Sequence, residues 1–143
     1  MRIRAPRELS RGGEGGRARA PVRLVHLGLG NFFRAHQAWY TDRAPDAGAW
    51  GIAAFGGRGH SLADALDGQD GLYTLVTRAA EADRFDVIAS LSRAYRADDH
   101  DAWLRHLGSP DLGAVTLTVT EAGYLRGADG DLDRAHPHVK ADV

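Results

Sequence analysis

The chain has 143 residues, of which 43% are hydrophobic and 26% are charged, and its formal net charge is −1. This size allows one domain, or one domain with a tail. The balanced charge argues against the basic composition typical of nucleic-acid-binding domains. No apolar run approaches the ~18 residues that a membrane-spanning helix needs. The absence of cysteine excludes disulfides, Cys-ligated zinc and thiol nucleophiles. We therefore expect a cytoplasmic protein with neither a membrane nor a nucleic-acid partner.

The first 20 residues differ in composition from the rest of the chain. Six arginines and two glutamates give this segment a charge of +4, so the remaining 123 residues carry −5. The segment has few large apolar side chains and cannot bury enough surface to offset its ordering entropy. We predict a disordered basic tail over residues 1–20 and a folded domain over residues 21–143.

Strand and helix patterns alternate through the predicted domain. The predicted elements are a strand at 22–27, a helix at 31–42, a strand at 50–55, a helix at 61–69, strands at 72–78 and 85–95, a helix at 98–107 and a strand at 114–120. The strands at 72–78 and 85–95 are compatible with a hairpin appended to the main sheet. The alternation predicts an α/β fold of the doubly wound, Rossmann-like type with a mainly parallel sheet.

The strongest signal of a site is Gly28-Leu29-Gly30, between the first strand and its helix. Glycine allows a tight turn and a close approach to the backbone, and the helix N-terminus offers N–H groups to a pyrophosphate. A plain turn also needs glycine, so it is the apolar strand before the turn that favours nucleotide binding. The dinucleotide fingerprint has a third glycine where this chain has Phe33, which predicts a helix that tilts or lies farther from the sheet.

The acidic residue that the fingerprint expects after the second strand is absent. The chain reads Phe55-Gly56-Gly57-Arg58 at this point. A cation here would tolerate the 2′-phosphate of NADP, but Arg58 is equally compatible with a solvated loop arginine, so NAD and NADP both remain open. Arg34 and His36 on the first helix could also reach a phosphate, although the spacing of His36 is typical of a packed helix residue.

Glu121 follows the last predicted strand. If that strand pairs with the first one, Glu121 emerges beside the glycine turn, because carboxyl ends of parallel strands share one edge of the sheet. Its carboxylate could orient substrate, hold a water or relay a proton, or it could cap the following turn. The seven histidines show no metal-ligand spacing, and we expect no metal. The serine-nucleophile elbow and the P-loop motif are missing, which argues against hydrolase and NTPase functions.

Three ordered segments carry a family resemblance. They are residues 25–38 (VHLGLGNFFRAHQA), 69–75 (QDGLYTL) and 118–124 (TVTEAGY). Together they resemble the mannitol dehydrogenase family, which comprises polyol-specific long-chain dehydrogenases and sugar-acid reductases such as fructuronate reductase. The first segment matches the family form G-x-G-x-F-x-R-A-H-Q, so Phe33 in the place of the third glycine looks like a family trait.

The resemblance implies an N-terminal Rossmann-type domain that binds NAD(H) or NADP(H), followed by a mostly helical catalytic domain. The implied reaction is reversible hydride transfer between the nicotinamide and a secondary alcohol carbon of a sugar alcohol or sugar acid. The residues that would hold the cofactor are Gly28, Gly30, Asn31, Phe32 and Phe33. Glu121 matches the family glutamate near the nicotinamide, which assists water or proton movement.

The resemblance also implies that a part of the enzyme is missing from this sequence. The family's catalytic lysine belongs to the C-terminal domain, and the single lysine here, Lys140, lies in a polar terminal stretch without that motif. We therefore expect no turnover from these residues alone, whether the chain is a fragment, the product of a truncated gene or a natural stand-alone domain. A non-catalytic nucleotide-binding remnant is one alternative. An S-adenosylmethionine-dependent methyltransferase, which also has a glycine-rich turn after its first strand, is another, but Arg34-Ala35-His36 argues against it.

Overall fold

The computed structural model describes residues 9–12, 17–57 and 60–142. The elements within these ranges are β1 Val22–Leu27, α1 Asn31–Ala35, α2 Gln37–Arg43, a 3-10 turn Ala47–Ala49, β2 Gly51–Phe55, α3 Ser61–Gly68, β3 Tyr73–Thr77, β4 Arg84–Ile88, β5 Leu91–Tyr95, α4 His100–Leu107, β6 Ala114–Leu117, a 3-10 turn Glu121–Tyr124 and α5 Pro137–Asp142. None of the helices in the described ranges is long and apolar enough to cross a membrane.

Four strands form a parallel sheet in the order β5-β2-β1-β6. At the carboxyl end of β1, Leu27 lies opposite Phe55 of β2 on one side and Leu117 of β6 on the other. The chain moves outward from β1 through β2 to β5 and then returns to the free side of β1 as β6. The order of the strands therefore reverses beside β1, which confirms the predicted doubly wound, Rossmann-like fold and locates its topological switch point.

Both faces of the sheet are covered, and β2 is buried along its whole length. Ile52 and Ala54 pack in one core cluster with residues of α1, α2 and α3. Ala53 and Phe55 point to the opposite face and pack against α4. This burial explains why β2 is a continuous small and apolar run, since a central strand of a parallel sheet meets helices on both sides.

The appended hairpin is formed by β3 and β4, which pair antiparallel. The single strand predicted over 85–95 is wrong, because this stretch divides into β4 and β5, and β5 joins the parallel sheet beside β2. Polar contacts fix the division: Ala89 N donates to the buried Asp42 carboxylate at 2.8 Å, and Ser90 Oγ donates to the Ala38 carbonyl at 2.7 Å. These partners lie on α2, so the break depends on tertiary contacts.

Arg11 connects the described pieces of the N-terminal segment to the domain. Its guanidinium donates at 2.8–3.0 Å to five carbonyl oxygens, those of Arg17, Ala18, Asp70, Ala89 and Leu91. Its own N–H donates to the Asp70 carboxylate at 3.0 Å. The prediction of a disordered tail did not anticipate these contacts, because it considered apolar burial alone, whereas one guanidinium carries five N–H donors.

Arg11→Ala is expected to lower the free energy of unfolding by about 1–3 kcal/mol, because several carbonyls lose a charged donor. The control is Arg78→Ala at an exposed position just after β3, which is expected to change stability by no more than about 0.5 kcal/mol. Urea denaturation followed by tryptophan fluorescence measures both variants. Equal stability of Arg11→Ala and the parent chain would show that the Arg11 contacts do not stabilise the fold.

Candidate functional site

The turn after β1 has no room for a side chain at Gly28 but has free space at Gly30. Gly28 has a φ of +121°, and a Cβ at this position would lie 2.5 Å from Thr118 Oγ1. Gly30 has a φ of −61°, which any residue adopts. A Cβ at Gly30 would meet no described atom within 4 Å. The fold therefore requires glycine at position 28 but not at position 30, where the open space allows a ligand to approach the backbone closely.

Gly30 is also the N-cap of α1, and its carbonyl accepts the first helical hydrogen bond from Arg34 N at 3.2 Å. Among the described residues, no side chain caps this end of the helix. The N–H groups of a first helical turn have no partner within the helix, and they lie at the positive end of its dipole. This arrangement suits an anionic group placed over Gly30.

Arg34 folds back onto the turn that precedes it. Its guanidinium donates to the Leu29 carbonyl and, at 2.5 Å, to the Asn31 side chain. The Tyr73 hydroxyl donates to the Arg34 carbonyl at 2.7 Å. Burial raises the pKa of Tyr73, so this hydroxyl keeps its proton and remains a donor. Arg34 and Asn31 thus brace the turn from the helix side.

The two phenylalanines of the motif point in opposite directions. Phe33 is 1% exposed and stacks on His26 with 4.0 Å between the ring centroids, so only its backbone could contact a ligand. Phe32 is 66% exposed and stacks on His36 at 4.3 Å, beside the open turn. The helix predicted over 31–42 divides into α1 and α2 at His36, whose φ of −119° and ψ of −86° interrupt it.

A buried polar group lies beneath the turn, and sequence patterns alone did not single it out. His26 is 1% exposed, its Nδ1 lies 2.8 Å from Thr116 Oγ1, and its Nε2 lies 3.5 Å from Thr118 Oγ1. Gln37 Nε2 donates to Thr116 Oγ1 at 3.0 Å. Burial lowers the pKa of His26 to about 4, so the ring is neutral at pH 7. The available signal was one histidine in an otherwise apolar stretch of β1.

β6 brings Glu121 to the sheet edge that carries the glycine turn. β6 pairs with β1, which was the condition for placing Glu121 there, and Thr118 N donates to the Leu27 carbonyl at 3.2 Å. Glu121 lies three residues after Thr118, is exposed, and is the first residue of the 3-10 turn Glu121–Tyr124. The other residues that line its cavity of about 400 Å³ are Leu125, Arg126, Asp133 and His136. Glu121 is therefore near in sequence to Thr118, which lies beside Gly28, and its side chain is at the surface and not in the core.

Arg58 lies outside the described residues, since one described range ends at Gly57 and the next begins at His60. On the helix that follows, Asp64 forms a two-pronged ion pair with Arg96, at 2.7 and 2.8 Å. The hydrogen bonds from Arg96 lower the pKa of the Asp64 carboxyl. Asp64 thus lies on α3 and pairs with Arg96 in this structure, and it does not directly follow β2 as the acid of the fingerprint does.

The reversal of strand order beside β1 and the open glycine turn at that point define a Rossmann-type domain, a class that binds nucleotides at this edge of the sheet. The sequence profile described as the mannitol dehydrogenase Rossmann domain matches residues 22–142. The chain belongs to the mannitol dehydrogenase family, which confirms the resemblance drawn from the three ordered motifs.

Individual relatives agree with this assignment. Mannitol 2-dehydrogenase of Aspergillus clavatus is 35% identical over 127 residues, covering 84% of this chain and 25% of the relative. D-mannonate oxidoreductase of Escherichia coli is 36% identical over 134 residues, covering 88% and 28%. The Pseudomonas fluorescens mannitol 2-dehydrogenase, solved as a ternary complex with NAD and D-mannitol, has a TM-score of 0.73 at 34% identity, covering 86% and 27%. The chain spans about a quarter of the length of these relatives.

Proposed function

We propose that this chain is the NAD(P)-binding domain of an oxidoreductase. The whole enzyme would transfer a hydride between the nicotinamide and a secondary alcohol carbon of a sugar alcohol or sugar acid. The observation that carries the proposal is the open space over Gly30, at the switch point of the sheet and the start of α1. The relative crystallised with NAD and D-mannitol supports both the dinucleotide and the substrate class.

The residues around the turn suit a dinucleotide. Gly28, Gly30 and the first N–H groups of α1 would hold the pyrophosphate, since a Cβ at Gly30 would fill the space that a phosphate needs. Asn31 and the exposed Phe32 would contact neighbouring groups of the cofactor. Arg34 would act by bracing the turn, and Phe33 by supporting it from the core. The nicotinamide, when bound, supplies the hydride acceptor or donor.

Glu121 is proposed as an auxiliary catalytic residue. It is exposed, and it follows the strand that adjoins β1 at the edge where a nucleotide lies in this class of fold. Its carboxylate would hold a water or relay a proton between the reacting alcohol and solvent. The sugar-binding groups themselves would come from the parts of the longer relatives that this chain does not span.

Domain extent and turnover are part of the same proposal. We propose residues 21–143 as the dinucleotide-binding domain, residues 1–20 as a tail, and a cytoplasmic location. Without the remaining three quarters of the relatives' length, the chain would bind cofactor and not turn over. In support, apolar side chains are exposed on β6 and in the segment after it, as expected of a surface that further parts of an enzyme would cover. They are Val115, Leu117, Val119, Tyr124 and Leu132.

Arg58→Ala is expected to weaken NADPH binding about tenfold and to change NADH binding by less than about twofold, because only NADPH offers a 2′-phosphate to a cation. Fluorescence titration with each nucleotide measures the two affinities, and Arg78→Ala controls for the loss of one surface charge. Unchanged NADPH affinity would identify Arg58 as a solvated loop arginine. Equal losses for both nucleotides would assign it to a group that they share.

Parallel titrations with NADH, NADPH and S-adenosylmethionine test the function itself. Binding of a nicotinamide nucleotide, without oxidation or reduction of mannitol, fructose or fructuronate, is the expected result. Binding of the methyl donor and of neither nicotinamide would overturn the proposal and favour a methyltransferase. A further titration with AMP tests the remaining alternative, since binding of AMP as tight as that of NADH would favour a non-catalytic nucleotide-binding remnant.

A further inference from the structure

His26 links the core of the domain to the glycine turn through two hydroxyls. Thr116 Oγ1 lies 2.8 Å from one ring nitrogen, and Thr118 Oγ1 lies 3.5 Å from the other, at the outer limit of a hydrogen bond. A neutral imidazole has one donor and one acceptor nitrogen, so the ring can join both hydroxyls whichever nitrogen carries the proton. The stack on Phe33 fixes the plane of the ring.

Thr118 is the surface member of this group. The residue is exposed, while His26 is 1% exposed. Its Oγ1 lies 2.5 Å from the point where a Cβ of Gly28 would stand, and His26 Nε2 lies 3.5 Å from the same point. Thr118 Oγ1 and His26 Nε2 therefore lie beside Gly28, in the space that a side chain at this position would enter.

Burying an imidazole is unfavourable unless its nitrogens find partners, and an aliphatic residue would satisfy the packing of β1 more simply. Gln37 Nε2, on α2, also donates to Thr116 Oγ1 and so holds this hydroxyl in place next to the His26 ring. The chain thus maintains a polar link from α2 through Thr116 and the buried His26 to Thr118 beside the turn. Such a link determines geometry more than it stabilises the fold.

We propose that His26 is a positioning residue for the dinucleotide turn, acting by holding the Thr118 hydroxyl against Gly28. This inference rests on the proposed function of the turn as the pyrophosphate site. His26 touches neither cofactor nor substrate in this proposal. Its effect is to fix the backbone N–H groups that follow Gly28 in the orientation that a pyrophosphate needs.

Three single variants of the full chain test the link by fluorescence titration with NADH. His26→Phe keeps an aromatic ring over Phe33 and removes both nitrogens, and it is expected to weaken binding about tenfold. His26→Gln keeps an amide near the position of Nε2 and is expected to retain affinity within about threefold. Thr118→Val keeps the shape of the residue without its hydroxyl and is expected to lose affinity about tenfold, as His26→Phe does.

The double variant His26→Phe/Thr118→Val decides whether the two residues act as one unit. It is expected to bind no more weakly than either single variant, because both changes break the same link. Losses that add would overturn the proposal, as would unchanged affinity in Thr118→Val. If His26→Phe does not fold, the comparison of His26→Gln with Thr118→Val carries the test, because Thr118 lies at an exposed position.

Amide hydrogen exchange at Gly28 gives a readout that does not need the nucleotide. Gly28 N donates to the Phe55 carbonyl at 2.9 Å, and its exchange is expected to be about tenfold faster in His26→Phe and Thr118→Val than in the parent chain. Unchanged exchange would overturn the positioning role. If the parent chain binds no NADH, the proposed function fails, and the exchange rates still decide the role of His26.

Discussion

Gly28→Ala is expected to lower the free energy of unfolding by about 3 kcal/mol. Two effects of similar size add at this position. The φ of +121° is a conformation that L-residues with a side chain rarely adopt. A methyl group would also lie 2.5 Å from Thr118 Oγ1, so the Thr118 side chain or the turn would have to shift.

Gly30→Ala is the matched control for this experiment. It adds the same methyl group two residues away, at a φ of −61° and with no described atom within 4 Å of the new carbon. The expected change in stability is less than about 0.5 kcal/mol. Urea denaturation of both variants, followed by tryptophan fluorescence, gives the comparison. Equal destabilisation by the two substitutions would contradict the assignment of a structural role to Gly28 and an open site to Gly30.

Gly30→Asp is expected to weaken NADH binding by about 100-fold or more, because a carboxylate would occupy the space proposed for the pyrophosphate and repel its charge. The fold is expected to be kept, since aspartate is a favourable N-cap for α1. Fluorescence titration gives the affinity, and denaturation confirms that the variant is folded. This pairing separates a loss of binding from a loss of structure.

Gly30→Asn separates the effect of charge from the effect of size. The amide has the same shape as the carboxylate and is also a good N-cap, but it carries no charge. We expect NADH affinity in Gly30→Asn to fall about tenfold, between the parent chain and Gly30→Asp. An NADH affinity in Gly30→Asp equal to that of the parent would mean that the pyrophosphate lies elsewhere.

Local sequence patterns were sufficient to predict β1, the strand beside which the strand order reverses. The bounds of β1 were predicted as Val22–Leu27 and are observed so. The run is short and ends at glycine, which is typical of a buried strand of a parallel sheet that leads into a tight turn. The pairing of β6 with β1 was a condition of the sequence analysis and not a prediction, and the structure meets this condition.

Contacts between distant parts of the chain account for what the sequence did not reveal. Asp42 ends β4 by accepting from Ala89, 47 residues away, so no local pattern marks the break between β4 and β5. His26 contacts Thr116 across 90 residues, and Arg11 contacts Leu91 across 80. Polar groups of this kind depend on a geometry that exists only once the sheet has formed, whereas apolar periodicity reports on each element alone.

The central claim is that a nicotinamide dinucleotide binds at the turn after β1, and titration of the ¹⁵N-labelled chain with NADH, followed through its backbone amide signals, tests it most directly. The expected result is saturable shifts at Gly28, Gly30 and Asn31 and at the Thr118–Glu121 segment of the neighbouring strand end. The amides at the opposite edge of the sheet, where Gly51 begins β2, are expected to stay unchanged. Shifts confined to that opposite edge, or no saturable shift at the turn, would contradict the claim.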